Sequence, residues 1–189
     1  MSFADRRRFL WILFLAGLVL IALAAQATTF SRLRFEQLAR QASGVARLRC
    51  LSAESHWENG EIWTETRFAV EETEKGLLGA LTMVRLPGGR VGHIEAHVDG
   101  APRFHPGEEV YLFLWGKRGE PFHVLGWAQG TFRITRNPRT GRESVTQDSA
   151  ATVIFDPESR TFRRDGISKM PVAEFRERLR GALEPAGKR

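Results

Sequence analysis

Residues 61–72, EIWTETRFAVEE, limit the folds open to this chain more than any other stretch. Ile62, Thr64, Thr66, Phe68 and Val70 fall on one side, while Trp63, Glu65, Arg67 and Glu71 fall on the other. A period of two describes a strand with one face on a core and one in water. Just upstream, Asn59-Gly60 is a strong hairpin signal, because a type I′ turn needs positive φ at both central positions. A strict two-residue turn sets Arg49 opposite core-facing Val70, so a β-bulge or a looser turn is expected between them.

More strand-like runs follow without an intervening helical period. LGALTMVRL stops at Pro87-Gly88-Gly89, and PFHVLGW, GTFRITR and ESVTQ are separated by glycine-containing turns. EVYLFLW is apolar on both faces, Val110, Leu112 and Leu114 against Tyr111, Phe113 and Trp115, which predicts cover on both sides; Trp115 and Trp127 read more as core than as exposed ligand-stacking residues. Two helices frame these strands. TTFSRLRFEQLARQASG has Ser31 as a cap and Gly44 near its stop. SKMPVAEFRERLRGALE, read as a helix over 170–184, has Ser168 as a cap, Pro171 in the first turn and a stripe of Val172, Phe175, Leu179 and Leu183. The expected fold class is mainly β, a small antiparallel OB-like barrel with a short N-terminal and a C-terminal amphipathic helix.

Arg6, Arg7 and Arg8, an uncharged run from Phe9 to Ala24 and the small-residue neck Ala25-Gln26-Ala27 have the order of a secretory signal peptide. The 16-residue run spans about 24 Å as a helix, short of a bilayer core of roughly 30 Å. Residues 1–27 therefore read as a cleaved signal peptide or, alternatively, an uncleaved anchor, the one part that would touch a membrane. In either case residues 28–184 form a single exported domain, periplasmic, in the cell envelope or secreted, with 185–189 a basic tail. Net charge is +6, but residues 160–189 hold nine Lys or Arg against four acids, while 28–159 hold 16 against 17. A near-neutral body argues against a nucleic-acid partner. Cys50 is the single cysteine, so no internal disulfide forms; its alternation with Ala46 and Leu48 reads as a small buried hydrophobe.

Catalytic chemistry has little to build on. There is no nucleophile elbow and no phosphate loop. Glu108 and Glu109 are adjacent on a strand start and so face opposite ways. The histidine-rich stretch VGHIEAHVDG resembles a scrambled zinc-protease motif, but a helix would turn Glu95 away from His93 and His97. A strand would project all three from one face as acceptable zinc ligands. The expectation is a solvated loop without a cofactor, with zinc on His93, Glu95 and His97 as the alternative.

The blocks ESHWENGEIWTETRFAVEETEKG, RLPGGRVG, PRFHPGEEVYLFL and VLGWAQGTFRI, in that order, resemble a group of exported bacterial proteins. Members of that group look like an OB-type barrel related to the amino-terminal domain of tissue inhibitors of metalloproteinases. The resemblance covers roughly residues 30–180 and implies a fold. In those inhibitors an N-terminal cysteine chelates the protease zinc; here the expected mature start is Thr28 and Cys50 is internal, so that mechanism does not carry over. The resulting expectation is a non-catalytic binding module for an envelope or secreted protein, a metalloprotease among the candidates. Its surface is placed on the hairpin 57–63 and the loop 87–106, with His56, Trp57, Trp63, Arg90, His93, His97 and Arg103 as contacts. Competing readings are a metal-dependent enzyme using His93, Glu95, His97 and His105, and a structural envelope protein.

Overall fold

The computed structural model describes residues 32–117, 119–151, 153–156, 160–164 and 166–184; the expected signal segment 1–27, Ser31 and the expected tail 185–189 lie outside the described residues. The chain is mainly β, with one large antiparallel sheet and two α-helices among the described residues. In chain order the elements are α1 (Phe35–Gln41), β1 (Gly44–Glu58), β2 (Glu61–Lys75), β3 (Leu81–Pro87), β4 (Gly89–Val91), β5 (Ile94–Ala96), β6 (Glu109–Trp115) and β7 (His123–Val124), then β8 (Thr131–Arg136), β9 (Glu143–Gln147), β10 (Val153–Asp156), β11 (Thr161–Arg164), β12 (Met170–Pro171) and α2 (Val172–Leu183). The sheet runs β12-β9-β8-β6-β1-β2-β3, with β7 also on β6. A lone parallel bridge, Val84 to Phe122, joins β3 to the residue preceding β7. It carries two backbone bonds, Phe122 N to Met83 O and Arg85 N to Phe122 O, each 2.8 Å.

The Asn59-Gly60 turn is kept at two residues, with φ of 51° and 83°. The register is instead shifted within the strands. Leu51 is extra on β1 between Cys50 and Ser52, and two more shifts follow toward Gly44, so Leu48 faces Val70 and Arg49 faces Ala69. Each inserted residue turns the following side chains over, so the long hairpin keeps Cys50, Phe68 and Leu48 inward although the turn alone would misalign them.

Two apolar clusters sit on opposite faces of β6. Val110, Leu112 and Leu114 join Leu48, Cys50, Phe68, Val84, Leu86, Phe104 and Val124 on the inner side. Tyr111 and Phe113 join Phe35, Leu38, Phe132, Val145, Phe175 and Leu179 under the helices. Trp115 departs from expectation: it is 50% exposed and stacks on His123 at 4.8 Å, because it is the last residue of β6 and lies past the cover that Phe35 and Phe175 give its neighbours. Trp127 is half-buried and opens a 3-10 turn, Trp127–Gly130; of PFHVLGW only His123–Val124 is strand. Both helices start later than expected. α1 begins after Arg34, whose N–H donates to Gln37 Oε1 at 2.8 Å, and α2 begins after Pro171, not Ser168. A proline fits there because the first-turn N–H groups need no intrahelical partner. Burial pushes the Cys50 thiol up, with the Glu108 charge adding to it.

On the helix-covered face, Arg47 joins three strands by binding Glu109 and Glu143. Hydrogen bonds from Arg47 and then Arg136 hold the Glu143 carboxyl down to about 2. A carboxylate held below its ordinary value of 4.5 stabilises the fold at higher pH and withdraws that stability as the pH falls from that value through 2. Melting temperature should therefore drop across this acid window, and Glu143→Gln should flatten the drop while lowering the plateau above it.

Candidate functional site

β3 ends at Leu86-Pro87, and Gly88 and Gly89, with φ of 84° and 136°, turn the chain back over the β1–β2 hairpin. Gly88 N donates to Ile62 O at 2.8 Å, Thr64 Oγ1 donates to Gly88 O at 2.6 Å, and Arg90 N donates to Ser55 Oγ at 3.2 Å. Ser55 and Thr64 share a hydroxyl hydrogen bond of 2.8 Å. A Cβ on residue 89 would lie 2.2 Å from Thr64 Oγ1 and 2.3 Å from Ser55 Oγ, so this approach admits only glycine. The hairpin and the loop 87–106 are thus packed together, and a cavity of about 170 Å³ lies between them.

Ala53, Ser55 and Thr66 form one wall, Leu86 and Phe104 the apolar part, and Arg90, Arg103 and His105 the rim. Thr66 is fully buried and its hydroxyl has no hydrogen-bond partner among the described residues. A buried, unmatched polar group of this kind costs about 1–3 kcal/mol, and the Thr66 oxygen lies behind the cavity wall without surface of its own. The cavity is comparable in size to one that takes a single aromatic ring or side chain, on the order of 150 Å³.

Most of the rim is already paired. Arg103 binds Glu95 and donates to Ala96 O at 3.2 Å; this guanidinium, with the charges of Arg90 and His97, holds the Glu95 carboxyl below its usual range. His97 Nε2 lies 3.2 Å from Asp99. His105 Nδ1 meets Glu108 at 3.0 Å, and Arg133 bridges Glu108 and Asp148 at 2.7 Å each while donating to Arg103 O at 2.8 Å. Burial pushes the Glu108 carboxyl up, but hydrogen bonds from His105 and the Arg133 charge bring it below its ordinary value. Glu109 points to Arg47 on the opposite face, as adjacent strand positions require. Arg90 is exposed, with no side-chain hydrogen bond or ion pair among the described residues.

The expected contacts divide between surfaces. Trp57, 50% exposed, pairs across the hairpin with Ile62 on the cavity side, and Arg90 and Arg103 stand on the rim. His56 and Trp63 pair on the other face, where Arg85 lies 4.5 Å over the Trp63 ring and binds Glu58 at 2.6 Å. Arg85 first, then His56, keeps the Glu58 carboxyl below its usual range. His93 sits in the turn between β4 and β5, and His97 lies beyond β5, so the three-on-one-strand arrangement with Glu95 is not formed. Among the described residues no group of three His, Cys, Asp or Glu side chains is placed to hold a metal. Thr64 and Thr66 carry a sequence signal of their own: two polar residues at consecutive inward positions of a strand whose other inward residues are apolar.

No protein-family model, curated protein or solved structure matches the chain.

Proposed function

We propose that this chain is an exported, non-catalytic binding module on an OB-like barrel, and that the mouth between the hairpin tip and the loop 87–106 receives its partner. The barrel reading draws support from connectivity: β6, β1, β2 and β3 lie side by side in that order across the sheet, and the parallel bridge at Val84–Phe122 returns the sheet to β7 and thence to β6. Closure of this kind leaves fewer open sheet edges. The observation that carries the functional reading is the side-chain-sized cavity between hairpin and loop, with Arg90 at its lip free of side-chain hydrogen bonds and ion pairs among the described residues, a few polar groups in a largely preformed concavity.

The partner is a protein of the envelope or the secreted fraction, a metalloprotease among the candidates, and not a nucleic acid. Capture from the source cell envelope by the intact chain should be saturable, and the double variant Trp57→Ala/Arg90→Glu should weaken it at least tenfold without changing the melting temperature by more than a few degrees. Undiminished capture by that variant would refute the assignment. A zinc role for His93, Glu95 and His97 would require Glu95 to leave Arg103. Adding zinc to metal-free protein should accordingly leave the melting temperature unchanged; a concentration-dependent rise, the mark of a ligand that binds the native state, would restore the metal reading.

A further inference from the structure

β1 runs well beyond its partnership with β6. That pairing ends at Arg49 opposite Glu109 and is continued only at Cys50, which bonds to Glu108 O and Gly107 N, each at 2.9 Å. From Ser52 to Glu58, β1 has β2 as its one ladder partner among the described residues, while β4 reaches only the Ser55 side chain. The two-residue turn makes Glu58/Glu61, His56/Trp63 and Glu54/Glu65 the pairs that exchange backbone bonds. Ala53, Ser55 and Trp57 therefore aim their N–H and C=O groups at the open side, where the described residues offer no backbone partner. The bond from Gly88 N to Ile62 O fixes the same phase, since Ile62, opposite Trp57, faces away from β1. Ala53 and Ser55 also line the cavity, with Pro102 to His105 on its far side.

We propose that β1 from Ala53 to Trp57 accepts an extended segment of a partner protein as an added strand, whose inward side chains enter the cavity beside Thr66. Strand addition of this kind takes affinity from main-chain bonds and specificity from pockets for alternate side chains. It rests on the mouth being the binding surface and specifies what that surface reads. Charge selects the segment. The outer face of this arm carries Glu54, Glu61 and Glu65, with Glu58 held by Arg85, whereas the cavity lip carries Arg90, with Arg103 held by Glu95. The complementary strand alternates basic side chains outward with acidic or small apolar ones inward. A second copy of the same edge would set Glu54 and Glu58 against their own kind, which disfavours self-pairing.

Amide exchange in the isotope-labelled intact chain tests this, using acetyl-Lys-Val-Lys-Glu-Lys-Val-Lys-amide as the probe and the charge-reversed acetyl-Glu-Val-Glu-Lys-Glu-Val-Glu-amide as the control. In the free protein Glu54, His56 and Glu58 should exchange slowly and Ala53, Ser55 and Trp57 fast. Millimolar probe should slow the fast set at least tenfold, and the control should not. Ala53→Pro removes one outward N–H that the fold does not use, so it should abolish the slowing while far-UV dichroism stays unchanged; the wild-type exchange pattern needs no variant and decides the matter if the proline disturbs the arm. The proposal is overturned if the fast set is unaffected, if both peptides slow it equally, or if it is already protected in a concentration-dependent dimer. Slowing confined to Gly88–Arg90 and Arg103–His105 would overturn strand addition while leaving the mouth as the binding surface.

Discussion

Phe175→Ala is expected to destabilise the protein by about 3–5 kcal/mol, the usual cost of emptying a large aromatic site in a packed core. The residue is fully buried, and its ring lies 4.9 Å from that of Tyr111, 5.2 Å from Phe132 and 5.6 Å from Phe35. These contacts join α2 to α1, β6 and β8, so the cavity left behind would be lined by groups from four elements with little freedom to collapse into it. Aromatic pairs in edge or tilted contact add about 0.5–1.5 kcal/mol beyond area burial. Urea denaturation should show the midpoint falling with the slope unchanged. Phe175→Leu, which keeps most of the volume, should cost less than half as much. Equal losses in both variants would mean that ring geometry, not volume, dominates this core.

Gly89→Ala is expected to cost about 2–5 kcal/mol, combining an unfavourable positive φ with an overpacked contact. The added carbon would meet Thr64 Oγ1 and Ser55 Oγ at less than any real contact distance, and neither hydroxyl can retreat without losing the Ser55–Thr64 bond or the one to Gly88 O. The loop would lift from the hairpin and the cavity would lose its roof. Gly92→Ala is the matched control: its φ of 62° is also positive, but nothing lies within 4 Å of the built carbon, so the cost should stay near the 1–2 kcal/mol of a left-handed residue. Binding at the mouth should fail in the first variant and survive in the second. Similar stabilities for the two would show that the loop does not rest on the hairpin through Gly89.

What the sequence made legible was local. The alternation from Ile62 to Val70 reads directly as a strand because burial follows a period of two, and Asn59-Gly60 reads as its turn because few residue pairs tolerate positive φ twice. The double-sided apolarity of β6 correctly implied cover on both faces. Opposition of Arg49 to Val70 required a bulge, yet its place at Leu51 depends on how the strand must twist to reach β6, which no local pattern records. Exposure of Trp115 was illegible for the same reason: its composition matches Phe113, and only the lengths of the covering helices separate them. Residues 153–164 lack strong alternation, so no local pattern announces the β10–β11 ribbon. The joining of hairpin and loop is the largest gain. It hangs on two glycines, two hydroxyls and one carbonyl, a contact between segments 24 to 35 positions apart, where sequence spacing carries no distance information.

The most direct measurement is site-specific photo-crosslinking in the intact chain within its own cells, with p-benzoylphenylalanine placed at Trp57, at Arg90 or at Leu77, an exposed residue beyond the opposite end of β2. One discrete crosslinked protein band is expected from positions 57 and 90 and absent from 77. A band from position 77 with none from 57 or 90 would contradict the assignment of the mouth as the binding surface.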